Sequence, residues 1–268
     1  ERHEALRTVV EVIDDAPLQR ILPPWAPDLE IVAMDDTPDR LARALALATE
    51  RAQRPFDLQR GALLRATLFT LGARDSLLLI VLHHFAADGW AVSLLLSELG
   101  AIYSALGRQA PPPLGATPIQ PADVARWQRE ALSQPREEAL IAAWRDRLSG
   151  VIPLDLPLDR PRPLLPTHRG KTRRFRVPPP LEEALRALGP RAGTTLFMTF
   201  LSAFALLLSR HADQDDILLA TAGAGRSHPG LEGVVGTFVN TLLLRLDLQR
   251  CATVRALLDQ AREVVTDA

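Results

Sequence analysis

The chain contains the stretch Leu77-Leu78-Leu79-Ile80-Val81-Leu82-His83-His84-Phe85-Ala86-Ala87-Asp88-Gly89. Its first six residues are apolar, which is typical of a central strand that is covered on both faces. Helical spacing of apolar residues then runs from Trp90 to Leu106. The stretch is therefore predicted to place titratable side chains at the end of a buried strand and just before a helix. That position is a common place for chemistry in an α/β protein.

The chemistry of these side chains leaves several interpretations open. Histidine is the side chain best suited to move protons near neutral pH, so His84 is a candidate catalytic residue. Asp88 could orient His84, or it could pair with an arginine and hold the loop shut. The two histidines could also be satisfied core residues, Asp88 a helix N-cap and Gly89 a turn residue. A metal site is disfavoured because no further Cys, His or Glu cluster stands nearby in sequence.

The rest of the chain indicates an α/β fold with two similar halves, because the same order of element types precedes and follows a proline-rich segment. We predict an N-terminal lobe over residues 1–152, a linker over 153–170 and a partial C-terminal lobe over 171–268. Strands are predicted at residues 9–13, 18–22, 63–71, 76–82, 172–177, 216–221 and 239–248. Helices are predicted at residues 40–53, 90–106, 121–132, 136–148, 181–188, 195–210 and 251–265.

Composition limits the classes of partner. The 268 residues carry 31 basic and 32 acidic side chains, which gives no electrostatic reason to expect nucleic acid or an anionic membrane. No unbroken run approaches the ~20 apolar residues of a membrane span. A single cysteine, Cys251, cannot form an internal disulfide, so we expect an intracellular, cytoplasmic chain. Both ends stand within helix-like patterns, and we expect a fragment of something longer.

Five stretches occur in the order found in the condensation domains of nonribosomal peptide synthetases, and each resembles a motif of that family. His83, His84, Asp88 and Gly89 resemble its HHxxxDG motif. The others are Arg2-His3-Glu4-Ala5-Leu6-Arg7-Thr8, Pro55-Phe56-Asp57-Leu58 with Gly61 and Leu63-Leu64-Arg65, Asp123-Val124-Ala125-Arg126-Trp127, and Val235-Gly236-Thr237-Phe238-Val239-Asn240-Thr241. The Asp88-Gly89-Trp90 run and the Pro118-Ile119-Gln120 segment resemble the subgroup that joins two L-configured residues.

The resemblance implies two lobes like chloramphenicol acetyltransferase, the second incomplete, with a tunnel between them. It also implies amide formation between a donor acyl or peptidyl thioester and the amine of an acceptor aminoacyl thioester. Both groups would travel on phosphopantetheine arms of peptidyl carrier proteins, with no cofactor or metal bound directly. Adenylation and carrier domains are the expected neighbours. The alternatives are a related epimerisation domain, a coenzyme A-dependent acyltransferase, and a non-catalytic module that docks carrier proteins.

The resemblance also assigns roles. His84 would accept a hydrogen bond from the acceptor amine and take its proton, while His83 would support the loop. Asp88 would be structural and paired with Arg2 or Arg7. Gly236 and Asn240 would belong to the second lobe, where Asn240 either hydrogen-bonds the substrate or the oxyanion, or caps a turn. Trp127 would be a packing anchor.

Overall fold

The computed structural model describes residues 1–61, 63–116, 119–167 and 170–268. It is a mixed α/β structure, as predicted. Its strands are Thr8–Ile13 (β1), Ala16–Ile21 (β2), Leu29–Ala33 (β3), Leu64–Thr70 (β4), Ser76–Leu82 (β5), Asp216–Gly223 (β6) and Asn240–Asp247 (β7). Its α-helices are Arg40–Ala52 (α1), Gly89–Gly107 (α2), Pro121–Ala131 (α3), Gln134–Arg147 (α4), Pro179–Ala192 (α5), Leu196–Ala212 (α6) and Val254–Thr266 (α7). Short 3-10 helices lie at Glu4–Arg7, Pro229–Leu231 and Leu248–Arg250.

The chain forms two compact units. Unit 1 comprises Glu1–Ser133 and Ala224–Val239, and unit 2 comprises Gln134–Gly223 and Asn240–Ala268. This division differs from the predicted lobe boundaries, because α4 belongs to unit 2 and the segment Ala224–Val239 belongs to unit 1. Unit 1 is therefore discontinuous in sequence.

The main sheet of unit 1 has the order β3-β4-β5, with β3 parallel and β5 antiparallel to β4. Phe69 of β4 is fully buried against Ala44 and Ala48 of α1, whose small side chains allow close approach of the helix. The prediction that Ser76–Leu82 is a central strand is wrong for the described sheet, where β5 lies at an edge and β4 lies in the middle.

A hairpin formed by β1 and β2 precedes this sheet. Asp14 and Asp15 connect the two strands with φ values of 50° and 61°. Two-residue hairpin turns with positive φ at both positions match the twist of the strands, and aspartate tolerates that conformation. The two strands were predicted at residues 9–13 and 18–22, and β2 begins two residues earlier than predicted.

Unit 2 is built on the antiparallel pair β6 and β7. Ile217, Leu244 and Leu246 are almost fully buried, and they form one core with residues of α6 and α7 such as Leu208 and Leu257. The strand predicted at residues 172–177 is wrong, because those residues have no regular secondary structure. The sequence alternates there, but no strand of the described chain pairs with it.

The helix α2 is long and apolar enough to cross a membrane by length and composition, with a mean hydropathy of 1.3. The bent pair α5 and α6, at 106°, passes the same test only when taken together. Core helices of soluble proteins pass it as well. In α2, Glu98 bonds Arg2 and His3, so the helix carries an ion-paired carboxylate near its middle.

Candidate active site

The loop after β5 is a tight turn that presents the histidine pair. The His83 amide donates to the carbonyl of Leu63, and the amide of Ala86 donates back to the carbonyl of His83 at 2.9 Å. Ala86 and Ala87 are buried, and Ala87 packs with Val235 in a small core. Small side chains at these two positions let the loop pack closely against the rest of unit 1 before α2 begins.

His83 is held on two sides. Its Nδ1 accepts a hydrogen bond from the Phe85 amide at 3.0 Å, and its ring meets the edge of Phe56 at a centroid distance of 5.7 Å. A neutral imidazole that accepts at Nδ1 carries its proton on Nε2. These contacts fix the ring and support the turn.

His84 differs from its neighbour. Its residue is exposed, and the imidazole makes no hydrogen bond or ion pair with any residue that the structure describes. Its carbonyl accepts a hydrogen bond from Oγ1 of Thr237. The backbone of His84 is thus fixed, whereas its side chain is accessible to a ligand.

Asp88 is 1% exposed and receives four hydrogen bonds. Its Oδ1 caps α2 by accepting from the Ala91 amide at 2.9 Å, and its Oδ2 accepts from the Phe238 amide at 3.0 Å. The Arg226 guanidinium lies 3.3 Å from Oδ1 and 3.4 Å from Oδ2. A carboxylate offers about four acceptor sites, so none is left for His84.

The Arg226 guanidinium that pairs with Asp88 also binds three backbone carbonyls. It donates to the carbonyls of Leu231, Val234 and Gly236, the last at 3.2 Å. Its carbon Cζ also lies 4.5 Å from the ring centroid of Phe238. The buried pair of Asp88 and Arg226 therefore organises the whole segment from residue 226 to residue 238.

The electrostatics of Asp88 reflect these contacts. Burial raises the pKa of its carboxyl, but the amides of Phe238 and Ala91 and the charge of Arg226 lower it more. The net pKa lies below the ordinary value for aspartate, so Asp88 is ionised at neutral pH.

The predicted partners of Asp88 were wrong. Arg2 bonds Glu98 at 3.0 Å and the carbonyl of Gly115, while Arg7 bonds Glu4 and the carbonyl of Leu22. Both arginines fasten the first residues of the chain to unit 1 rather than to the histidine loop.

The sequence prediction missed Arg226, which lies 138 positions from Asp88. A charged residue just after the strand predicted at residues 216–221 was the available signal. It does not by itself identify a partner that far away in sequence.

The remaining predicted residues are dispersed. Gly236 lies in unit 1 rather than with the second half, and its carbonyl accepts from the Asp88 amide at 3.4 Å. Asn240 begins β7 in unit 2, where its Oδ1 accepts from the Thr241 amide, which is a local capping contact. Gly89 is the first residue of α2, and a Cβ there would meet no atom within 4 Å.

Trp127, which was predicted to be a packing anchor, is 48% exposed. Its ring meets the edge of the His228 ring at 5.9 Å. Val124, one turn earlier on α3, is the buried residue of that motif at 2% exposure. Pro118, part of the predicted subgroup feature, lies outside the described residues.

Solved structures first define the class of fold. The X-domain from teicoplanin biosynthesis is similar to 99% of this chain with a TM-score of 0.88 and 28% identity, over 59% of its own chain. SgcC5 from Streptomyces globisporus is similar over 100% of this chain and 60% of its own, with a TM-score of 0.79 and 33% identity. The predicted α/β class, like chloramphenicol acetyltransferase, is confirmed by such neighbours.

Sequence comparison then gives the family. A linear gramicidin synthase of Brevibacillus parabrevis is 43% identical over 271 residues, covering 100% of this chain and 5% of that protein. The family model of the condensation domain matches residues 1–268. The chain belongs to the condensation-domain family, and it spans about 60% of the solved chain of SgcC5.

Proposed function

We propose that this chain is the histidine-bearing part of a condensation domain that forms an amide bond. The donor is an acyl or peptidyl thioester, and the nucleophile is the amine of an acceptor aminoacyl thioester. The observation that carries the proposal is the exposed imidazole of His84, which bonds no residue that the structure describes, on a backbone fixed by Thr237.

The proposed chemistry assigns one proton transfer to His84. A free α-amine has a pKa of ~7.7–8.0, so a useful fraction is neutral near pH 7. Its nitrogen forms a bond to the donor carbonyl carbon and becomes cationic. His84 accepts that proton as addition proceeds. The carbonyl then re-forms as the carbon–sulfur bond breaks, and the departing thiolate takes the proton back from His84 to leave as a thiol.

The contacts of Asp88 exclude it as a carboxylate that orients His84. A carboxylate that oriented His84 would need a free acceptor site, and all four sites of Asp88 are taken by Ala91, Phe238 and Arg226. His84 therefore acts without a carboxylate partner at this position. Positioning of two tethered substrates would supply much of the remaining acceleration.

The first prediction tests His84 in the intact synthetase by single-turnover transfer between two loaded carriers. His84→Ala should slow amide formation by roughly 10²–10⁴-fold, the usual value of general-base assistance, with carrier affinity unchanged. His211→Ala, which removes an exposed imidazole from α6, is the matched control and should transfer at the wild-type rate. A near-normal rate for His84→Ala would exclude this role.

Carrier proteins and neighbouring domains follow as proposals. The chain spans 5% of the linear gramicidin synthase, so we propose carrier and adenylation domains beside it in a cytoplasmic synthetase. Both thioesters would be presented on phosphopantetheine arms of the carriers. Parallel assays with carrier-bound and coenzyme A-bound donors separate this proposal from a coenzyme A-dependent relative.

A second candidate is a docking module without chemistry. It is favoured by one structural neighbour, the X-domain that was solved in complex with OxyB from teicoplanin biosynthesis, at a TM-score of 0.84 and 27% identity. Carrier binding without any product, in the wild-type protein, would favour this candidate. Release of an epimerised aminoacyl product would instead favour an epimerisation domain.

A further inference from the structure

Three side chains of unit 1 form a stack beside the histidine loop. The guanidinium carbon Cζ of Arg65 lies 4.0 Å from the ring centroid of Phe56. The Phe56 ring in turn meets the His83 ring edge-on, with a centroid distance of 5.7 Å and an interplanar angle of 80°. All three residues are partly buried. The support of His83 therefore extends beyond its own loop to Phe56 and Arg65.

The pairing of β4 with β5 brings Arg65 next to the histidine. Arg65 lies opposite Val81 in this antiparallel pair. The His83 amide donates to the carbonyl of Leu63, which continues the same register two residues further along. Side chains two positions apart on a strand share a face, so Arg65 and His83 are diagonal neighbours on one face of the pair. Phe56, from the segment that connects α1 to β4, contacts both of them.

Arg65 is itself fixed by two backbone carbonyls. Its Nη1 donates to the carbonyl of Pro55 at 3.3 Å, and its Nη2 donates to the carbonyl of Arg54. These two residues directly precede Phe56 in the chain. A guanidinium presents its donors in a rigid plane, so one group can bind both carbonyls and still lie over an aromatic ring. Arg65 thus holds the backbone that leads into Phe56 as well as the ring of Phe56.

The orientation of the His83 ring decides whether the histidine turn closes. The Phe85 amide donates to His83 Nδ1 at 3.0 Å, and this bond requires the tautomer whose proton is on Nε2. His84 stands between the two bonded residues, so the bond spans its backbone. The edge of Phe56 limits rotation of the His83 ring away from this orientation. Without that edge the His83 ring could rotate or change tautomer, and the Phe85 amide would lose its acceptor.

We propose that Phe56 and Arg65 are positioning residues for His84. They hold His83 in the one ring orientation and tautomer that closes the turn, and the turn places the His84 imidazole for proton transfer. This inference rests on the proposed function. A displacement of about 1 Å at a reacting group can cost ~10²-fold in rate. The two residues should therefore affect the rate of amide formation rather than the binding of either carrier.

The test is Phe56→Leu in the intact synthetase, assayed by transfer between two loaded carriers. Leucine keeps an apolar side chain but removes the ring that meets His83. We expect kcat to fall by about 10²-fold, with an unchanged KM for the acceptor carrier. Phe56→Tyr keeps the ring and should restore most of the wild-type rate. Phe175→Leu is the matched control, because it makes the same change in unit 2 at a ring that is 86% exposed, and it should leave kcat unchanged.

Arg65→Lys is a second variant, which leaves Phe56 in place if Phe56→Leu does not fold. Lysine keeps the positive charge but lacks the planar fork that binds both carbonyls. We expect a loss of kcat smaller than that of Phe56→Leu, again with KM unchanged. Arg60→Lys is its control, because the Arg60 side chain is 90% exposed, and it should transfer at the wild-type rate.

The tautomer of His83 gives a readout that a general loss of stability would not change selectively. In nitrogen-15 NMR spectra of the histidine rings, wild-type His83 should show a single tautomer with its proton on Nε2. Phe56→Leu and Arg65→Lys should show averaging of the two tautomers at His83, while the ring signals of His211 in unit 2 stay as in the wild type.

The outcomes separate this inference from the proposed function. A wild-type kcat in both variants, or a lowered kcat with the His83 tautomer unchanged, would overturn the positioning role while leaving amide formation standing. If the wild type joins no acceptor at all, the proposed function fails and the positioning role fails with it.

Discussion

Asp88 is ionised in a place where an unpaired charge would be very costly. Its residue is 1% exposed, and the side chain of Arg226 is 2% exposed. A buried ion pair is tolerated because its charges are paired and its remaining sites are hydrogen-bonded, yet loss of one member leaves the other uncompensated. Asp88 and Arg226 are thus structural residues on which the position of His84 depends.

The second prediction concerns this pair. Asp88→Asn should lower the free energy of unfolding by about 3–5 kcal/mol, because Arg226 stays buried without its counter-charge. Asp36→Asn is the matched control: its carboxylate is 92% exposed and pairs with Arg40, and exposed pairs contribute about 0–1 kcal/mol. Urea unfolding of the three proteins measures the difference. Similar losses in both variants would contradict the structural role of Asp88.

The third prediction follows from the lowered pKa of Asp88. When the folded pKa is below the unfolded value of ~3.9, the unfolded state binds more protons during acidification. The stability contributed by Asp88 is therefore fully present above pH ~3.9 and is lost as the pH falls through the folded pKa. The stability difference between wild type and Asp88→Asn should be constant near neutral pH and should shrink below about pH 4. A difference that is independent of pH down to the acid transition would refute this linkage.

At the scale of elements, helices with strong apolar periodicity were predicted close to their observed positions. The helices α1, α2 and α6 lie within a few residues of their predicted positions, because each shows repeated apolar spacing. β3 was missed. Its five residues are mostly exposed, and its place is set by pairing with β4, some 35 positions later in the chain.

The errors in strand prediction have the same physical origin. Residues 172–177 alternate like a strand. A strand forms only when it hydrogen-bonds to a neighbouring strand, and the local sequence does not identify that neighbour. β5 has the composition of a central strand and nevertheless lies at the edge of the described sheet. Composition reports what a strand packs against, whereas its hydrogen-bonded neighbours depend on distant segments.

In the candidate site, too, the residues close together in sequence were predicted and their distant partners were not. His83, His84 and Asp88 stand within six positions, so one motif located them and the loop between β5 and α2. The distant partners of Asp88 could not be predicted from that motif, because Arg226 and Phe238 lie 138 and 150 positions away. The chain topology determines which of several arginines pairs with Asp88.

At the scale of the whole molecule, unit 1 is completed by a segment that follows most of unit 2 in the chain. Ala224–Val239 supplies Arg226, the amide of Phe238 and the carbonyl of Gly236 to the loop at Asp88. Residues 1–133 by themselves would leave Asp88 without these hydrogen-bond partners. Folding of the histidine loop is therefore coupled to contacts of long sequence separation.

The last prediction tests this coupling with two shortened chains. One contains residues 1–133, and the other adds residues 224–239 through a flexible glycine–serine linker. The first should show no cooperative unfolding. The second should unfold cooperatively, because the added segment pairs Asp88 and its Val235 packs on Ala5, Ala87 and Ala91. Arg226→Gln in the linked chain is the matched control and should remove about 3–5 kcal/mol of that stability. If residues 1–133 alone unfold cooperatively with the same free energy as the linked chain, the segment is dispensable and the ion pair does not organise unit 1.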